Sequence, residues 1–179
     1  MRKSTTPSRR AIPFIKMRTV PKMGNLSGVP LVKSHMVYWM HRYENQAVPC
    51  THPNCLFDLA EIPQDQRIYL PVYNHDAREE WMLDLPTSLH GVLCDAKDRY
   101  GDLRRVVVKF QRREARKNAA IKTAVAELTT ATPRLDFEYE VDDAITQITA
   151  KTTSWATGQI LAKNPELRGS IVTAHRMTT

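Results

Sequence analysis

A chain of 179 residues, 42% of them hydrophobic, is long enough to bury one core together with tails or an extra helix. Its formal net charge of +7 is uneven: no Asp or Glu precedes Glu44, and nine Lys or Arg lie in residues 1–43, so the positive field is local, as expected of a surface that meets phosphates or anionic lipid. No apolar run approaches the roughly 20 residues of a membrane span, the basic N-terminus lacks the apolar stretch of a signal peptide, and three cysteines are too few for a disulfide framework; a cytoplasmic protein with no membrane role is the simplest expectation.

Residues 1–28 mix Ser, Thr, Pro, Gly and basic residues with few apolar anchors and read as a flexible basic arm. From Val29 to Tyr43 the chain is rich in β-branched and aromatic residues, which predicts one or two strands closed by Pro49 and the Cys50–Cys55 run. Arg67 to Tyr73 alternates, with Tyr69, Pro71 and Tyr73 on one face and Ile68, Leu70 and Val72 on the other. A turn at Asn74-His75-Asp76 and a returning strand at Glu80–Leu85 make a hairpin, so Tyr69 and Tyr73 are expected on the exposed side. After Pro86, Thr87 or Ser88 can cap a helix with apolar positions Leu89, Val92, Leu93, Ala96 and Tyr100, stopped by Gly101. Leu103–Gln111 returns to a β pattern, and Ile121–Leu128 runs back as its partner. An acidic stretch, Asp136–Asp143, leads into a second helix with Ile145, Ile148 and Trp155 on its apolar side, ended by Asn164-Pro165. The expected division is an arm at 1–28, a nucleic-acid-binding domain at 29–130 and a C-terminal linker and helix at 131–179.

Arg104, Arg105, Lys109, Arg112, Arg113, Arg116, Lys117 and Lys122 fall within nineteen residues that hold one acid, Glu114. Unpaired guanidinium groups are costly to bury, so this hairpin end must project into solvent or a ligand. A cationic β-ribbon can lie along a phosphate backbone and release counterions. The bland alternative is a solubilising hairpin end. Single strands are held by pairing such cations with rings on which bases stack, each worth roughly 1–3 kcal/mol. The ring candidates are Tyr38, Trp39, Tyr43, Tyr69, Tyr73 and Phe110, with Arg42 beside the first pair, although Tyr and Trp are as often core residues.

Cys50, His52, Cys55 and Asp58 bring two thiols, an imidazole and a carboxylate into one short stretch. Zinc prefers such donors, and a structural site needs four. His52, or an upstream His35 or His41, would serve with the two cysteines, and Asp58 stands for the fourth ligand; a turn with two reduced cysteines is the alternative. A metal here would staple a loop and do no chemistry.

The order of strands, hairpin, helix and closing hairpin is similar to an OB-fold, a five-stranded barrel that often binds oligonucleotides. With the Cys50, Cys55 and Asp58 spacing ahead of the Tyr-rich strand, the chain resembles the zinc-containing single-stranded DNA-binding proteins of bacteriophages and mobile elements, over residues 29–128. Asp58 stands where such a knuckle has another cysteine, and the C-terminus, Ala174–Thr179, is not an acidic tail. The resemblance implies an α+β, mainly β fold with an OB-like barrel, one structural zinc, and sequence-tolerant binding of single-stranded DNA in replication, recombination or transposition. RNA binding uses the same physics. An enzyme is the second class, with His75, Asp76, Glu79, Glu80 and Asp84 as its nearest cluster; a turn followed by an alternating strand explains those residues, and no Gly-rich phosphate loop or nucleophile elbow is present, so no catalytic residue is expected. The third class is an accessory subunit of a nucleoprotein complex, with the helix from Asp142 to Asn164 docking on a copy of itself or another protein.

Overall fold

Alternating apolar residues and short polar turns give a mixed α+β structure whose eight strands join in one large open sheet. The computed structural model describes residues 16–51, 55–114, 120–128 and 141–169. Expectations for the first 15 residues, for His52, for Arg116 and Lys117, and for the acidic stretch before Val141 lie outside the described residues. A closed five-stranded barrel is not seen among the described strands. Packing divides the chain into two compact units, residues 1–36 with 68–144 and residues 37–67 with 145–179, which differs from the division expected along the sequence.

The first unit contains β1 (Lys16–Thr19) and β2 (Gly24–Pro30), in a stretch expected to be part of the arm. That expectation fails because β1 is held by its backbone: it runs parallel to β6 (Glu79–Pro86), from Lys16 beside Trp81 to Thr19 beside Asp84, while its side chains stay mostly exposed and leave no apolar signal. In β2, Leu26 and Val29 are buried, and Gly28 admits a close neighbour. A Cβ there would stand 2.9 Å from the Val72 Cβ and 3.0 Å from the Tyr73 carbonyl oxygen.

β2 lies between β5 (Gln64–Asn74) and β7 (Val106–Arg112), antiparallel to both, and β8 (Ile121–Glu127) is antiparallel to β7 at the sheet's end. The turn after β5 is tied by Asn74, whose Oδ1 accepts the Ala77 N–H at 2.6 Å, and Arg78 takes a positive φ of 52°. From Ile68 to Val72 both faces of β5 are buried, so the alternation expected to leave Tyr69 outside does not do so. Tyr69 is 0% exposed.

Helix α1 (Leu56–Leu59) belongs to the second unit; helix α2 (His90–Tyr100) packs Leu93 and Ala96 into the core of the first. A 3-10 turn at Thr87–Leu89 precedes α2, so its N-cap is Leu89, and neither Thr87 nor Ser88 caps it by a side chain. Gly101 ends it at φ 77°, its N–H donating to the Lys97 carbonyl at 2.7 Å. Leu103–Arg105 forms another 3-10 turn instead of the start of β7, because the Asp102 carboxylate accepts the Arg104 N–H at 2.8 Å.

In the second unit, β3 (Met36–Tyr43), from Val37 onward, and β4 (Gln46–Pro49) form a hairpin around Glu44 and Asn45, with φ of 45° and 66°. Two positive φ values are the mark of a type I′ turn, which matches the strands' twist. Helix α3 (Val141–Lys163) carries Asp142 and Asp143 in its first turn, as expected. Its residues Ala156 and Ile160 are buried with Tyr43, Val48, Cys55, Leu56 and Phe57. These two residues are therefore covered within their own unit. Trp155, placed by sequence on the apolar side, is 43% exposed, with its ring 5.8 Å from that of Tyr43.

Candidate metal centre and nucleic-acid interface

In the second unit, α1 begins directly after Cys55, while β3 supplies His41 and the end of β4 leads to Cys50. These elements gather His41, Cys50, Cys55 and Asp58 so that one donor atom from each lies within 4.8 Å of the others. Cys55 Sγ is 3.3 Å from His41 Nε2, Asp58 Oδ1 is 3.5 Å from the same nitrogen, and Cys50 Sγ is 3.5 Å from Asp58 Oδ2. A tetrahedral zinc site with arms of roughly 2.0–2.3 Å has edges of about 3.3–3.8 Å, so these separations fit one.

The imidazole is oriented for this task. His41 is 0% exposed, its ring stacks on Phe57 with centroids 5.4 Å apart, and Nδ1 lies 3.0 Å from the Ile62 carbonyl oxygen. A carbonyl can only accept, so Nδ1 carries the proton and donates, and Nε2 turns a lone pair toward the two thiols and the carboxylate. Gln64 Nε2 donates to Asp58 Oδ1 and lies 3.9 Å from Cys50 Sγ, completing an outer layer around the donors. The group is compatible with zinc. Of the histidines weighed from sequence, His41 is the one the fold brings in; His35 is elsewhere and His52 is outside the described residues. His41 and Asp58 are seventeen positions apart, and the β3–β4 hairpin brings the chain back between them.

The cationic ribbon lies in the first unit, and its register sorts the expected contacts by face. Val106, Val108 and Phe110 point into the core, with Leu26 opposite Phe110 and Val125 opposite Val108. The other face carries Lys109 between Ser27 and Ala124, and Gln111 between Asn25 and Lys122. Lys109, Arg113 and Lys122 are exposed there, and Arg105 is exposed just before the strand. Among the described residues none of these four cations has a carboxylate within ion-pair distance. Neighbours as small as Ser27, Ala124 and Ala126 leave the face open.

Several expected contacts do not belong to it. Phe110 is 0% exposed and has no ring surface to offer a base. Tyr69 is buried for the reason given above. Arg104 is held by Asp102, Nη2 to Oδ2 at 2.6 Å and Nε to both carboxylate oxygens at 3.0 and 3.1 Å. Burial alone would raise the Asp102 pKa, but the Arg104 hydrogen bonds, with the Arg104 and Lys33 charges, outweigh it and leave the carboxyl below its ordinary value. Arg112 lies on the core side of β7, its Nε buried with no hydrogen-bond partner among the described residues. Tyr38, Trp39 and Arg42 fall in the second unit; Trp39 is 46% exposed, and Arg42 Nη2 lies 3.4 Å from Asp65.

Beside the cationic face is an open cleft of about 540 Å³ lined by Asn25, Ser27, Asn74, Asp76, Trp81 and Lys109, among others. Trp81 is half-buried, with Nε1 donating to Glu79 Oε2 at 3.0 Å and Arg18 5.5 Å from its ring centroid. Tyr73 is partly exposed, and its ring meets His75 edge-on at 5.0 Å. Trp81 alternates with Leu83 and Leu85 in sequence, and no local pattern distinguishes a ring that packs by one side and faces a cleft by the other.

The first unit also brings together His35, His90 and Cys94. Burial lowers the His35 pKa to about 4, helped by the neighbouring His90 and Lys97. Sequence reasoning passed over this group, although His90 and Cys94 are four residues apart on one helix. No helix among the described residues is long and apolar enough to cross a membrane. Comparison with family models, curated proteins and solved structures returned no match.

Proposed function

We propose that this chain binds single-stranded DNA without strong sequence preference, through the outer face of β2, β7 and β8. The observation that carries the reading is the set of exposed cations Arg105, Lys109, Arg113 and Lys122, which have no ion-paired carboxylate among the described residues and stand over small side chains. Such a surface attracts a phosphate backbone and releases its counterions. The adjoining cleft offers Trp81 as a stacking platform, with Asn25 and Asp76 able to hydrogen-bond base edges. In this reading the sheet serves replication, recombination or transposition.

The His41, Cys50, Cys55 and Asp58 group holds, in this reading, one structural zinc ion. Bound there, the ion would offset two of the three negative charges of the thiolates and the carboxylate and tie α1 to the β3–β4 hairpin. With four protein donors no position is left for a reacting water, which suits a staple.

The test is fluorescence anisotropy with labelled single-stranded DNA, single-stranded RNA and duplex DNA across a salt series. Tighter binding to single-stranded DNA, with a steep loss of affinity as salt rises, is expected. Equal affinity for duplex would overturn the single-strand reading in favour of an accessory subunit of a nucleoprotein complex, and a preference for RNA would change the ligand.

A further inference from the structure

His35, His90 and Cys94 are three metal donors that converge from two separate elements. His90 and Cys94 stand four residues apart on α2 and therefore share a face, with Cys94 Sγ 3.6 Å from His90 Nε2. His35 comes from the segment between β2 and β3 and reaches His90 Nδ1 with its Nε2 at 2.8 Å, the two rings meeting edge-on with centroids 4.8 Å apart. The segment is tied down before His35: the Leu31 N–H donates to the Pro71 carbonyl at 2.9 Å, and the Lys33 carbonyl accepts the Leu103 N–H at 3.1 Å. Backbone bonds therefore set the imidazole over the helix.

Packing alone does not account for the arrangement. A half-buried histidine in a structural role finds a carbonyl, a carboxylate or a hydroxyl for each ring nitrogen. Here His35 Nδ1 is buried with no hydrogen-bond partner among the described residues, and its other nitrogen faces a second imidazole. Among the described residues no carboxylate joins the group.

We propose that His35, His90 and Cys94 form a second metal site, for a borderline divalent ion such as zinc, with three protein ligands and a fourth position open to water or an exogenous ligand. Imidazole nitrogen and thiolate sulfur are the donors such ions prefer, and three protein ligands with one open position are the arrangement of sites that exchange a ligand. The tetrahedral edge between two nitrogens is about 3.3 Å, so the 2.8 Å pair opens by roughly half an ångström on loading. His90 is exposed, and its ring can turn to present one nitrogen between His35 and Cys94. The site is independent of the His41 group, which lies in the other unit and contributes four donors.

The test is titration of the full chain, stripped by a chelator and dialysed, with cobalt(II), read by its visible bands and by the near-ultraviolet charge transfer of thiolate ligands. About two equivalents are expected. His90→Asn and Cys94→Ser should each abolish the second equivalent and keep the first, whereas Cys50→Ser should lose the first and keep the second. His90 is on the surface, so His90→Asn leaves the core intact, which circular dichroism checks. Retention of both equivalents by His90→Asn and Cys94→Ser overturns the second site. A single equivalent in the unsubstituted protein, lost on Cys50→Ser, overturns it and leaves the first site standing; no binding at all overturns both.

Discussion

Replacing Lys109, Arg113 and Lys122 together by Ala removes three cations from the outer face of β7 and β8. All three are exposed and lack a carboxylate partner among the described residues, so the cost in stability is small, within about 0.5 kcal/mol for each. The effect on binding is large if they contact phosphates. Each phosphate neutralised on a single strand contributes about 0.7 to the slope of log K against log salt, so the slope should become less negative by roughly 2. Between 50 and 200 mM salt, a fourfold change, the unsubstituted chain should then lose about 20-fold more affinity than the variant. Anisotropy with a labelled oligothymidine over that range reads the slope, and thermal unfolding of both proteins verifies that the fold survives. Arg104→Ala is the internal contrast: its guanidinium is committed to Asp102, so the slope should hold while stability falls. An unchanged slope in a well-folded triple variant, or an equal slope change in Arg104→Ala, would refute the assignment of this face.

Phe110→Ala, at a fully buried core position, should cost about 3–5 kcal/mol in urea unfolding and leave the salt slope intact, because the ring never meets the ligand. Gly28→Ala should destabilise by about 1–3 kcal/mol, since the new Cβ would press on Val72 and the Tyr73 carbonyl; equal stability would mean that β2 and β5 can separate freely. Asp102 has a depressed pKa, so its contribution is complete above the unfolded value of about 3.9 and is lost as pH falls through the folded one; Asp102→Asn should remove that part of the acid sensitivity in unfolding measured from pH 5 to pH 2. In a His90→Asn background, free zinc at about 100 times the Kd of the His41 group should add about 2.7 kcal/mol to the unfolding free energy, a gain that His41→Ala should abolish.

Much of the architecture is legible along the chain, because hairpins and helix ends are written in neighbouring residues. The β5–β6 hairpin, α2 with its Gly101 stop, the β7–β8 ribbon and the end of α3 before Pro165 all follow from periodicity and turn chemistry. The alternation in β7 even sorts Lys109 from Phe110 and Arg112. What alternation cannot tell is whether a strand is covered on one face or on both. Tyr69 and Tyr73 have the same parity in β5, yet one is buried and the other partly exposed, since burial depends on what packs above the strand.

The same division holds for the sites. The donors Cys50, Cys55 and Asp58 are close in sequence and were visible there, whereas His41 joins them through a hairpin, and His35 meets His90 across fifty-five positions. The strands β1 and β2 were hidden in a basic stretch with few apolar residues: β1 is held chiefly by backbone pairing with β6, and β2 by pairing with β7 together with the burial of Leu26 and Val29. Local sequence therefore determined most of the elements, their order and where charge accumulates, through torsional preference and hydrophobic period. Which side chains were left to meet solvent, a metal or a polyanion was decided by tertiary packing, because desolvation and donor geometry depend on residues far apart in the chain.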